Sequence, residues 1–141
     1  MLKNKVILGL NAFHADSSAA IIIDNEIIAA AEEERFNRKK HWSGFPLESI
    51  KFCLEKSNIE FKDITDVAIN SNQFSNINQK IFYSLINLKF ENLSKFIKRN
   101  KKKFLIQNII DYNFGKKNNY KFHRIDHHLA HLASAFYPSG Y

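Results

Sequence analysis

Short runs of apolar residues dominate the first part of the chain and predict three β-strands. Residues 5–12 are mostly apolar, and residues 18–23 and 26–31 form two further runs. Asp24 and Asn25 separate the last two runs, and both residues tolerate the positive φ angles of a tight hairpin turn. We therefore expect an antiparallel meander. Because the apolar runs are nearly continuous, we also expect both faces of these strands to be buried.

The remainder of the chain alternates between helical and strand-like patterns. Apolar residues recur at helical spacing over two segments, 47–56 and 79–110. Two short strands are predicted at 66–70 and 120–125. A last helix, His127–Phe136, begins after Asp126 and is expected to end before a proline and a glycine.

The resulting order of elements is β-β-β-α-β-α-β-α. A three-stranded meander followed by two crossover units is typical of the actin-like, ribonuclease H-like half-domain, an α/β fold with a mixed sheet and helices on its faces. The length of 141 residues suits a single domain. Residues 1–141 are therefore predicted to form one unit without an internal repeat.

Charge is distributed unevenly along the chain. The formal net charge is +7, yet residues 80–121 contain 11 Lys and Arg against two acidic residues. The segment 95–103 (KFIKRNKKK) has three interpretations: a solvated helix end, a patch for an anionic membrane surface, or a nucleic-acid contact. Because the basic residues are confined to one segment and no nucleic-acid-binding motif accompanies them, we expect no nucleic-acid partner.

Cysteine content and hydropathy restrict the class of protein. A lone cysteine, Cys53, excludes an internal disulfide framework and a cysteine-cluster metal site. No apolar run approaches the ~20 residues of a membrane helix, and the first residues do not resemble a signal peptide. We therefore expect a cytoplasmic protein without a membrane span.

The last predicted helix carries the most specific candidate chemistry. His127 and His131 are four residues apart, so their imidazoles lie on one face of a helix and can bind one metal ion. His128 points about 100° away from them. The alternative is a helix start whose histidines only cap and pack. The small residues that follow favour a pair of metal ligands, which needs further oxygen ligands from elsewhere.

The turn between the first two strands is a second candidate site. It contains His14, and Asp16, Ser17 and Ser18 supply a carboxylate, two hydroxyls and closely spaced backbone N–H groups. Such a turn can bind a phosphate or a metal-bound water, and the alternative is an ordinary Asx or Ser turn.

A charged segment follows the third strand. The sequence EEERFNRKKH places acidic residues first and basic residues second. It predicts either a solvated edge that pairs with itself, or a loop in which Arg35 and Arg38 bind an anionic ligand.

Four motifs together resemble one known family. ILGLNAFHADSSAA, AAAEEERFNRKKH, GFP and DHHLAHLASAFYPSG occur in the order found in the N-terminal domain of the O-carbamoyltransferase family, which includes nodulation-factor, cephalosporin and aminoglycoside carbamoyltransferases. The resemblance extends from Val6 to Gly140 and is loose over 59–117.

The resemblance implies a Kae1-like fold and an ATP-dependent activity. The family transfers a carbamoyl group from carbamoyl phosphate, through a carbamoyl-adenylate, to a hydroxyl of a small molecule. It also implies that an iron-type divalent metal is held by His127 and His131 together with aspartates. His14 matches a histidine that lines the carbamoyl site, where it is expected to accept the proton of the acceptor hydroxyl.

The family resemblance further implies that more polypeptide is needed. The aspartate ligands, the second half of the fold and the YrdC-like domain that makes the adenylate lie beyond the matched region. We expect a fragment, or one part of a split protein with a separately encoded C-terminal part, that is inactive alone and binds metal weakly. The alternatives are a non-enzymatic metal- or nucleotide-binding module and a basic interaction protein on the same fold.

If strands one and five are parallel, the imidazole of His14 should lie within roughly 12 Å of His127 or His131, with room for a metal between them.

Overall fold

The structure is a computed structural model that describes residues 5–70, 106–115 and 119–139. Five strands form one sheet in the order β3-β2-β1-β4-β5. Their bounds are β1 Val6–Asn11, β2 Ser18–Ile23, β3 Glu26–Glu32, β4 Asp66–Ile69 and β5 Lys121–Arg124. The described helices are α1 Glu34–Asn37, α2 Leu47–Ser57, α3 Ile106–Phe114 and α4 His127–Phe136, with 3-10 turns at Phe61–Asp63 and Tyr137–Ser139.

The strand directions confirm the predicted mixed sheet. β1, β2 and β3 are antiparallel neighbours, and the Asp24-Asn25 turn, in which both residues have positive φ, joins β2 to β3. β1 pairs in parallel with β4, and β4 pairs in parallel with β5. β1 and β5 therefore run in the same direction on either side of β4, and their carboxyl ends lie at one edge of the sheet.

The core lies on one face of the sheet. Alternate residues of β1, including Leu8 and Leu10, are buried together with Ile21 of β2 and with Ile50 and Cys53 of α2. Ile106 and Ile110 of α3 belong to the same cluster. The prediction that β1, β2 and β3 are buried on both faces is wrong for the described residues.

The opposite sheet face explains the failure of that prediction. There the residues that alternate with the core residues, such as Gly9 and Ala20, are only partly buried, and Ala30 is exposed. In β3, the edge strand, Ala29 alone is buried, whereas Ile27 is 65% exposed. An apolar sequence therefore does not imply burial on both faces of this sheet. The face opposite the core consists of small residues and of residues on the edge strand β3, and these stay partly or largely exposed.

Two further differences concern helices. The charged segment after β3 contains a one-turn helix, α1, where we expected a solvated edge or loop. Of the helix predicted over 79–110, the structure describes the end, and α3 extends it to Phe114. The remainder, from 79 to 105, lies outside the described residues, and so does the basic segment 95–103.

Candidate functional site

The site forms where two segments leave the same edge of the sheet. The turn between β1 and β2 follows Asn11, and α4 begins three residues after β5 ends at Arg124. Asp126 caps α4, and its Oδ1 accepts hydrogen bonds from the backbone N–H of His128 at 3.0 Å and of Leu129 at 3.5 Å. This cap places His127 in the first turn of the helix, facing the edge of the sheet where the β1–β2 turn lies.

Three histidines meet at this edge. The Nε2 atoms of His127 and His131 are 3.1 Å apart. The imidazole of His14 stacks on that of His127, with ring centroids 5.5 Å apart and ring planes within 9°. The predicted proximity of His14 to this pair across 117 sequence positions is therefore confirmed. The ring of His128 meets His127 edge-on at 6.0 Å, on another side of the helix.

The distance within the histidine pair fits two ligands of one metal ion. Two imidazole nitrogens bound at about 2.1 Å and at right angles would lie about 3.0 Å apart, and in a tetrahedral site they would lie about 3.4 Å apart. The observed 3.1 Å is closer to the first value. In the described parts of the chain no group of three or more His, Cys, Asp or Glu side chains is arranged to hold a metal. A metal site built on this pair would therefore need further ligands, and the metal-binding role of His127 and His131 stays a prediction.

The turn that carries His14 is an unusual piece of backbone. Phe13 and Asp16 both have left-handed φ angles, of 60° and 59°. The side-chain amide of Asn11 donates to the carbonyls of Ala15 at 3.2 Å and Asp16 at 2.9 Å. The Oδ1 atom of Asn11 accepts from the amide of Asn70, which follows β4. The turn is therefore tied to the carboxyl ends of both β1 and β4.

The three polar residues predicted to bind a phosphate or a metal-bound water occupy different environments. Asp16 is exposed, and its carboxylate accepts a hydrogen bond from Nδ1 of His41 at 3.0 Å. Ser17 is 1% exposed, and its backbone N–H and hydroxyl donate to carbonyls within the protein. Ser18 is partly buried in β2, opposite Asn11, where it lines an open groove of about 420 Å³. The predicted binding roles of these residues stay predictions.

The two predicted arginines lie on the charged segment after β3. Arg35 is in α1, and its guanidinium lies 3.9 Å from the carboxylate of Glu32 in an exposed pair. Arg38 ends α1 with a left-handed φ of 56°, and its backbone N–H donates to the carbonyl of Glu34. Within the part of the chain that is described, no hydrogen bond or ion pair joins either arginine to the three histidines. Their proposed contact with an anion stays a prediction.

Several residues of the site were not found by sequence reasoning. Asn11 and Asn70 form a hydrogen bond at the carboxyl ends of the parallel strands β1 and β4. Their place at the end of a predicted strand was the one feature of the sequence that could have identified them. Gly44 lies two residues after Trp42, and its carbonyl accepts hydrogen bonds from the His14 turn. Glu33 is 5% exposed within a run of three glutamates, where nothing in the sequence distinguishes it from its neighbours.

Comparison with known proteins assigns a family to this arrangement. Residues 6–141 match the model of the carbamoyltransferase N-terminus. This match covers nearly the whole chain and agrees with the mixed five-stranded sheet, and the chain belongs to the carbamoyltransferase N-terminus family.

Two relatives match almost the whole chain. The nodulation protein NolNO of Sinorhizobium fredii is 31% identical over 134 residues, which cover 93% of this chain and 18% of that protein. An uncharacterized protein of Synechocystis, sll1178, is 29% identical over 143 residues, covering 94% of this chain and 23% of its own length. The chain therefore spans about a fifth of these relatives. Among the described residues, no helix has the length and apolar character needed to cross a membrane.

Proposed function

We propose that this chain supplies part of the transfer site of an O-carbamoyltransferase. In this proposal a carbamoyl group passes from carbamoyl phosphate, through a carbamoyl-adenylate made with ATP, to a hydroxyl of a small molecule. The observation that carries the proposal is the stacking of His14 on His127 beside the His127–His131 pair. Because the chain spans about a fifth of its relatives, the complete activity is proposed for the protein in which the remaining part is also present.

His127 and His131 are the residues that would hold a divalent metal of the iron type. A bound metal would supply Lewis-acid stabilisation of the negative charge that develops on the phosphate or carbamoyl oxygens. Neutral imidazoles are the form that binds metal, and both rings present Nε2 to the same point. Oxygen ligands from other polypeptide would complete the coordination.

His14 is proposed to accept the proton of the acceptor hydroxyl. As the hydroxyl oxygen forms a bond to the carbamoyl carbon, the bond between that carbon and the phosphate oxygen of the adenylate breaks, and AMP leaves with that oxygen. The proton of the hydroxyl passes to a neutral ring nitrogen of His14. The ring lies against His127, so the base and the metal ligands face the same reacting group.

A chimeric protein tests this function. This chain would replace the aligned segment of the Sinorhizobium nodulation protein, and O-carbamoyl products would be measured by mass spectrometry with ATP, carbamoyl phosphate and a panel of hydroxyl compounds. The unmodified relative identifies a usable acceptor. We expect the chimera to form product and the His14→Gln chimera to lose about 10²–10⁴-fold in rate. A His14→Gln chimera that is as active as its parent would contradict the role of His14.

A further inference from the structure

Ser17 lies behind His14 in the β1–β2 turn and faces into the protein. We propose that Ser17 is a positioning residue that fixes this turn to the segment Trp42-Ser43-Gly44 and thereby keeps the His14 ring stacked on His127. The inference rests on the proposed function in one respect: it takes His14 as the residue that accepts the proton of the acceptor hydroxyl.

The hydrogen bonds of Ser17 link the turn to three other parts of the backbone. Its N–H donates to the carbonyl of Trp42 at 3.0 Å, and its carbonyl accepts from the N–H of Glu33 at 2.8 Å. Its hydroxyl lies 2.9 Å from the carbonyl of Gly44 and 3.0 Å from the carbonyl of His14 itself. At 1% exposure, Ser17 makes these bonds away from water, where an unpaired polar group would be costly.

A second bond holds the other side of His14. The backbone N–H of Phe13 donates to the carbonyl of Gly44 at 3.0 Å. The carbonyl of Gly44 therefore bonds the residue before His14 and the residue three positions after it. His14 is enclosed between two attachments to one acceptor, which limits the motion of its backbone.

The turn needs such attachments because its backbone is strained. Phe13 adopts a left-handed φ of 60°, which a bulky residue rarely occupies, whereas the φ of 59° at Asp16 is one that aspartate tolerates. Conformations of this kind persist where surrounding bonds determine them. Without the bonds to Trp42 and Gly44, the turn would relax and move the imidazole of His14 away from His127.

The glycine at position 44 is required for this contact. A Cβ at Gly44 would lie 2.6 Å from Cζ2 of the Trp42 indole, a distance that side chains do not tolerate. The absence of a side chain lets the backbone pass the indole closely and present its carbonyl to Ser17. At the protein surface, a hydrogen bond between His41 and Asp16 also joins the β1–β2 turn to the residue that precedes Trp42.

Nuclear magnetic resonance of the whole chain with labelled histidine tests the proposal. In the unmodified chain we expect nuclear Overhauser cross-peaks between the rings of His14 and His127. Ser17→Ala should lose these cross-peaks while the amide protection of β1 is retained. The matched control is Ser49→Ala, which also removes a buried hydroxyl, one bonded to Glu33 at 2.8 Å and not to the turn. The control should keep the cross-peaks.

A second pair of variants covers the case in which Ser17→Ala does not fold. His41 has a φ of 55°, which glycine and asparagine both accept, so His41→Gly removes the bond to Asp16 and His41→Asn retains a donor. We expect weaker ring cross-peaks in His41→Gly and unchanged ones in His41→Asn. Cross-peaks that survive in a folded Ser17→Ala, or that are lost equally in Ser49→Ala, would overturn the proposal. If Ser17→Ala does not fold, identical spectra of the two His41 variants would overturn it.

These measurements separate the inference from the proposed function. The ring cross-peaks report the position of His14 whether or not the protein binds metal or transfers a carbamoyl group. A chimera without transferase activity would contradict the function and leave the positioning result intact.

Discussion

Asp66, at the start of β4, is a carboxylate whose ionisation is tied to folding. Its side chain is 15% exposed; Oδ1 lies 2.6 Å from Nε2 of His123, and Oδ2 lies 2.8 Å from the hydroxyl of Thr65. The hydrogen bond from His123, and then that from Thr65, lowers the pKa of Asp66 below its ordinary 3.8. Because the pKa of Asp66 is lower in the native state than in the unfolded state, ionisation stabilises the native state at pH values above the unfolded pKa. That contribution is lost as the pH falls through the native pKa.

The first prediction concerns this carboxylate. Asp66→Asn should lower the free energy of unfolding at about pH 7 and should change it less at about pH 3, because the contribution of the ionised carboxylate decreases once the pH falls below the ordinary 3.8 of the unfolded carboxyl. Urea unfolding curves of both proteins at the two pH values measure the difference. A deficit of equal size at both values would show that the ionised carboxylate is not the stabilising form.

Helix α2 begins at a carboxylate that comes from a distant part of the chain. Both oxygens of Glu33 accept hydrogen bonds, from the backbone N–H of Glu48 at 3.2 Å and from the N–H and hydroxyl of Ser49 at 2.8 Å each. A negative charge at this helix end is also favoured by the helix dipole. Since Glu33 directly follows β3, it joins the sheet to the helix that covers its buried face.

The second prediction tests this cap. Glu33→Ala removes the acceptor of three hydrogen bonds in a buried position, and we expect the free energy of unfolding to fall by about 1–3 kcal/mol. Glu32→Ala is the matched control because Glu32 is exposed and lies 3.9 Å from Arg35. Its effect should be within about 0.5 kcal/mol. Equal losses in the two variants, measured by urea unfolding, would contradict the capping role.

The elements themselves follow largely from local patterns. The strands and helices correspond to apolar runs, a hairpin pair and an N-cap aspartate, all of which act over a few residues. Burial of the sheet face opposite the core could not be predicted from these local patterns. It depends on what packs against Gly9, Ala20 and Ala30 in the folded protein. The contact between the His14 turn and Gly44 does not follow either, because it joins irregular backbone segments that no periodic pattern describes.

At the scale of the whole molecule, the sheet brings the site together. Parallel pairing of β1, β4 and β5 places the His14 turn and the start of α4 at one edge. This arrangement was predictable because it depends only on strand order and direction. The ring orientations and the 3.1 Å separation of the histidine pair were not, since they depend on rotamers and on the cap at Asp126.

The histidine pair is central to the account, and cobalt binding tests it most directly. Titration of the chain with Co(II), followed by optical absorption, should show weak binding, because two neutral imidazoles carry no charge to offset that of the ion. His127→Ala and His131→Ala should each abolish the signal. His128→Ala should retain it, since the His128 ring lies on another side of the helix. Tight stoichiometric binding that survives His131→Ala, or equal losses in all three variants, would contradict the assignment of His127 and His131 as the metal ligands.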